Sequence, residues 1–112
     1  MSGNRFYPRA KPRNLRLVKR SAKTAQQLER HLKGVANHRR IEILFLIERE
    51  TGISVEGISS SLHCNFKTIS EHTRRLVHAG LIIKKYEGQS VTHRLTPYGK
   101  IFIVFLKSFQ YS

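Results

Sequence analysis

Lys67, Ser70, Glu71, Arg74, Arg75 and His78 fall on one side of a helical projection of residues 66–78, and Ile69, His72, Thr73 and Leu76 fall on the other. The polar side holds three bases, one acid and small polar groups. Ammonium and guanidinium groups on such a face can donate to base-edge acceptors or to phosphate oxygens, and hydroxyls can donate or accept. The first turn offers Phe66, Lys67, Thr68 and Ser70; Arg74 and Arg75 lie farther along, nearer to where a phosphate chain would pass. This is the chemistry of holding a polyanion.

Bond-making chemistry finds less support. All seven acids among the 112 residues are Glu, so no Ser-His-Asp set can form. So few carboxylates also argue against hard-cation sites and paired-carboxylate catalysis. No Gly-rich phosphate loop is present. The six histidines (31, 38, 63, 72, 78 and 93) form no H-x-x-x-H pair. Cys64 reads as a small hydrophobe plugging a turn; a redox thiolate or a metal site with His63 and His72 are the lesser readings. We expect no enzyme, no metal and no cofactor. One Cys cannot build a disulfide framework, and no apolar run approaches the ~18 residues that cross a bilayer.

Charge points the same way. Lys and Arg number 21 against 7 Glu, a formal net charge of +14. Eight of the bases lie in residues 1–24, without an acid. Pro8 and Pro12 break helix there, so residues 1–23 read as a basic arm, flexible or partly helical, that can track phosphates. The Arg-rich, acid-free composition also permits a transit peptide, but early prolines and poor amphipathicity argue against one. The partner expected is nucleic acid, with an anionic membrane surface second.

The recognition face needs elements to hold it. Thr24 with Gln27 is a capping-box pattern and starts a helix running to about Lys33, with a weaker extension back to Leu15. Asn37 caps a second helix ending near Arg49, apolar almost all round through Ile41, Ile43, Leu44, Phe45, Leu46 and Ile47, hence central to the core. Ser54 caps a third over 55–62, which Gly57 should weaken by ~1 kcal/mol relative to Ala. A three-residue turn and Asn65 then open the helix at 66–78, a helix-turn-helix pattern. Leu81 to Tyr86 and Val91 to Leu95 read as a hairpin, the second strand alternating Val91, His93 and Leu95 with Thr92 and Arg94. Thr96-Pro97 opens a last helix. It is too apolar to stand alone in water, and its simplest partner is its own symmetry mate.

The body, over roughly residues 25–96, resembles the arsenic-repressor (ArsR-type) family of winged helix-turn-helix regulators. Three stretches carry the likeness: Leu32 to Leu44; Thr68 to Leu76 with Ala79-Gly80-Leu81-Ile82; and Glu87-Gly88 followed by Val91 to Thr96. The resemblance implies a homodimer, paired through first and last helices, that binds operator DNA and represses transcription. Many members release DNA when metal binds Cys or His. Here Glu56, Gly57, Ile58, Ser59 and Ser60 stand where metal-sensing members carry paired cysteines, and Thr73 stands where leucine is usual. The arm and Thr96-Pro97-Tyr98-Gly99 are similar to MarR-type relatives.

The expected fold is therefore mainly α with a β-hairpin, five helices plus a wing, with residues 24–112 forming one domain. Expected DNA contacts are Arg39, Arg40, Phe66, Lys67, Thr68, Ser70, Glu71, Arg74, Arg75, Lys84, Lys85, Gln89 and Arg94. Phe66 either plugs the capping turn or touches a thymine methyl. Expected dimer contacts are Leu28, Leu32, Ile101, Phe102, Phe105 and Phe109. The expected setting is the cytoplasm, at the nucleoid, with double-stranded DNA and a second copy as partners and any effector open. The rival reading is a winged helix that binds RNA or nucleoid DNA without sequence preference.

Overall fold

The computed structural model describes residues 21–111. Most of the basic arm, and the helical extension from Leu15, lie outside the described residues. Five helices and three short strands follow in order: α1 (Ala25–Val35), α2 (His38–Arg49), β1 (Ile53–Ser54), α3 (Val55–Leu62), α4 (Phe66–His78), β2 (Ile82–Glu87), β3 (Ser90–Leu95) and α5 (Pro97–Gln110).

Local chemistry starts each helix. Thr24 and Gln27 form the reciprocal capping box on α1. The Asn37 side chain accepts from the amides of Arg39 and Arg40, Ser54 from Gly57, Asn65 from Lys67 and Thr68, and Thr96 from Gly99. Gly52 and Gly80 take left-handed φ values of 91° and 78° where α2 and α4 are left behind.

The core gathers on α2. Ile43, Leu44, Leu46 and Ile47 are buried there, joined by Ile58 of α3, Ile69 and Leu76 of α4, Leu81, Ile82 of β2 and Ile103 of α5. Each such side chain contributes about 1.5–3 kcal/mol by leaving water. Thr73 is buried among them and donates its hydroxyl to the Ser70 carbonyl at 2.9 Å, which spares the polar atom an unsatisfied burial.

Two backbone approaches need glycine. A Cβ on Gly34 would stand 2.1 Å from that of Ala79, so α1 lies directly on the end of α4. A Cβ on Gly99 would stand 2.1 Å from the Leu81 carbonyl oxygen. Thr96 tightens the same junction, donating its hydroxyl to the Gly80 carbonyl at 2.6 Å and its amide to Leu81 at 3.1 Å.

The structure departs from the sequence expectation in several places. The hairpin belongs to a three-stranded antiparallel sheet in the order β1-β3-β2. β1 was not expected, because two residues carry no period; its pairing is long-range, Ile53 with His93 and Ser54 with Thr92. β3 is consequently the middle strand. Thr92 and His93 are both buried, so inward and outward residues do not alternate there as expected. Gly57 also has a use: a Cβ would meet Ile53 Cγ1 at 2.8 Å, so alanine's better helix propensity is offset by a clash with β1.

Candidate nucleic-acid interface

α4 presents the face its sequence implies. Ile69, Thr73 and Leu76 face the core, while Lys67, Thr68, Glu71, Arg74, Arg75 and His78 are exposed and Ser70 is half-buried. Phe66 is 51% exposed, so the ring does not serve as a buried plug and stays open at the helix start.

Glu71 organises the cations. Its carboxylate accepts from Arg74 Nε at 3.0 Å and Nη2 at 2.6 Å, and from Arg75 Nε at 3.1 Å. The bond from Arg74 is the main reason the carboxyl is held below the ordinary carboxylate range, and Arg74 is raised in return. Both guanidinium groups are thus aligned, yet in an exposed pairing that phosphate oxygens can replace.

Arg39 and Arg40 sit at the start of α2, half-buried. Arg39 Nη1 donates to Glu42 at 2.9 Å. Their amides are taken up by Asn37 Oδ1 at 2.9 and 3.2 Å, so anion binding there falls to side chains rather than to these N–H groups. Arg40 Nη1 lies 3.4 Å from His72 Nδ1. Burial foremost, then the charges of Arg40, Arg75 and His38, push the His72 imidazole down, partly opposed by Glu71. His72 is half-buried at the flank of α4 and not part of its apolar seat.

On the wing, Lys84, Lys85 and Gln89 are exposed. Lys84 pairs across the hairpin with His93 and Lys85 with Thr92, so the two lysines project from opposite faces. Arg94 stands apart: it is half-buried and lines a cleft with Glu48, Thr51, Lys100 and Ile103 on the α2–α5 side. The structure does not gather it with α4.

A second basic surface escaped the sequence reading. Arg30 and Lys33 of α1 join Arg40, Arg74, Arg75 and His78 around a cleft of about 480 Å³ between α1 and α4. The signal was present, since Gln26, Glu29, Arg30 and Lys33 follow helical spacing, but which element they face is not local information.

The apolar surface lies elsewhere. Leu28 and Leu32 on α1 and Ile101, Phe105 and Phe109 on α5 are exposed, as is Val104, 69% open and absent from the expected set. Phe102 differs: it packs against the core. Cys64 is a half-buried free thiol against that core, and among the described residues no group of three His, Cys or Glu is placed to hold a metal ion.

Residues 21–111 thus combine a capped helix pair, a basic exposed helix and a hairpin beside it. Solved structures share this arrangement. HlyU from Vibrio cholerae superposes with a TM-score of 0.71 at 28% identity, over 82% of this chain and 100% of that one. The chain has the winged helix-turn-helix fold of ArsR-type regulators. The transcriptional regulator HlyU from Vibrio vulnificus gives a TM-score of 0.65 at 27% identity, covering 86% and 97%. A homodimeric winged helix-turn-helix DNA-binding domain from Mycobacterium bovis, a possible ArsR-family regulator, gives 0.67 at 23% identity, covering 82% and 90%, and speaks for the fold alone. No protein-family model and no curated protein matches the chain. These structural neighbours are transcriptional regulators rather than enzymes. Among the described residues no helix is long and apolar enough to cross a membrane.

Proposed function

We propose that the protein is a homodimeric regulator of transcription, acting as a repressor, that binds double-stranded DNA with sequence preference. The observation that carries this reading is the exposed cationic face of α4, anchored from behind by Ile69 and Leu76. Lys67, Thr68 and Ser70 then meet base edges in the major groove, with Phe66 beside them, while Arg74 and Arg75 meet phosphates. The wing lays Lys84, Lys85 and Gln89 along the backbone or the minor groove. Residues 1–23 serve as an arm on the same duplex, and residues 24–112 as the reading and pairing domain, in the cytoplasm.

The self-partner follows from α5. Ile101 is 63% exposed and Val104 is on the same side, an apolar cost that a second copy removes. Two copies would set their recognition helices on half-sites about one DNA turn apart.

Selection of bound fragments from a random duplex pool tests the proposal. A palindromic product with half-sites spaced by about one turn is the expected result. If each protomer neutralises about 4–6 phosphates, the log–log salt slope of the dimer is on the order of −7 to −11. Unselected sequences bound as tightly as any other, or structured RNA bound in preference, would favour the non-specific reading and defeat this one.

A further inference from the structure

The cleft between α1 and α4 concentrates positive charge. Five cations, Arg30, Lys33, Arg40, Arg74 and Arg75, line it with His78 and a single carboxylate, Glu29. Glu29 is already engaged by Lys33 Nζ at 3.1 Å. Glu71 holds Arg74 and Arg75 but is not among the residues lining the cleft. At one wall, Arg40 Nε is buried and has no hydrogen-bond partner among the described residues. A buried guanidinium N–H without an acceptor costs free energy, and the same side chain lines the cleft, where a charged acceptor would suit it. The floor is close-packed, because Gly34 lets α1 approach Ala79 there with no room for a Cβ.

From this geometry we infer that the α1–α4 cleft is a binding site for a phosphoryl group, with Arg40 as the inner ligand and Arg30 and Lys33 as the outer ones. Planar guanidinium forks match phosphoryl oxygens in pairs, and four such forks border the space with a lysine. A volume of about 480 Å³ admits more than a lone phosphate. The phosphoryl group has two sources, the backbone of a DNA duplex lying across the cleft mouth or a soluble phosphorylated compound. Burial first, and then the nearby Arg75 charge, push the Arg40 guanidinium down, partly opposed by Glu71, as a crowded cation should behave.

The site does not depend on the regulator reading, and its test is separate. The full chain, labelled with nitrogen-15, is titrated with inorganic pyrophosphate against sodium chloride at matched ionic strength. Saturating amide shifts are expected at Gly34, Arg40 and Ala79. The double variant Arg30→Gln/Lys33→Gln should weaken pyrophosphate about tenfold, or ~1.4 kcal/mol. The control Lys84→Gln/Lys85→Gln, equal in charge removed, should bind it as the natural chain does. Absence of cleft shifts in the natural chain, or equal weakening by both variants, overturns the site.

A duplex arm then separates the sources. If the backbone fills the cleft, the α1 variant lowers the salt slope of duplex binding by about 2 per protomer. If a soluble compound fills it, that slope stays and pyrophosphate competes with duplex through Arg74 and Arg75. Failure to bind any duplex would defeat the regulator reading while leaving the pyrophosphate shifts intact.

Discussion

His31 Nδ1 lies 2.6 Å from the carbonyl oxygen of Ala79, joining the middle of α1 to the end of the recognition helix. A carbonyl only accepts, so Nδ1 carries the proton. The ring is buried, packs tilted against Tyr98 of α5 at 5.2 Å between centroids, and leaves Nε2 without a partner among the described residues. One imidazole therefore touches three helices: the two that carry the open apolar surface and the one that carries the cations.

Replacing His31 by Phe keeps the ring against Tyr98 and removes the donor. The Ala79 carbonyl is left buried and unsatisfied, at about 1–3 kcal/mol of stability. Urea unfolding should show the midpoint fall with an unchanged slope. An unchanged midpoint would mean that another donor reaches Ala79.

Acid should loosen the wing. His93 is fully buried and donates from Nδ1 to the Ile53 carbonyl at 3.1 Å. Burial pushes its pKa down, Lys84 pushes further, and the Ile53 bond and Glu56 pull back. The unfolded chain takes up this proton first, near the ordinary histidine value of about 6.5. Stability is thus full above about pH 6.5 and is lost as pH falls from there toward the lower folded value. His72, lowered too, adds in the same direction. Urea midpoints should drop between about pH 6.5 and 5, and less so in His93→Gln. A flat profile would contradict the assignment.

Helix and wing should separate in binding assays. Lys84→Ala/Lys85→Ala should lower the salt slope by about 2 per protomer and leave the selected sequence alone. Lys67→Ala should relax preference at one base pair, by about 1–3 kcal/mol. Identical effects from the two changes would argue against distinct roles.

Sedimentation of two α5 variants tests the self-partner. Ile101→Glu places a charge on the open side and should give a folded monomer. Phe102→Glu drives a charge toward the core and should lose the cooperative fold instead. An Ile101→Glu chain that still sediments as a dimer would move the interface off α5.

The legible and illegible parts divide by range. Thr24, Asn37, Ser54, Asn65 and Thr96 are all read correctly as caps, because a cap satisfies amides two or three residues away. The outward side of α4 is legible for the same reason. β1 was not, since Ile53 and Ser54 become a strand only by meeting His93 and Thr92 about 40 residues later. That missing strand also explains Thr92, which alternation placed outside. Arg94 looked like a wing cation in sequence, yet the fold turns it toward Glu48 and Lys100. Arg30 and Lys33 carry no mark in the sequence of the element they face, which is α4.

Gly99 bears on how such a molecule could be controlled. α5 rests on Leu81 through the Gly99 backbone, with no side chain of its own at that contact. In a dimer held by α5, a tilt of that helix passes undamped into both reading heads. An agent that wedged two such copies by a small angle would act on their spacing directly, whereas bulk added at position 99 meets the Leu81 backbone and should cost stability before it alters any spacing.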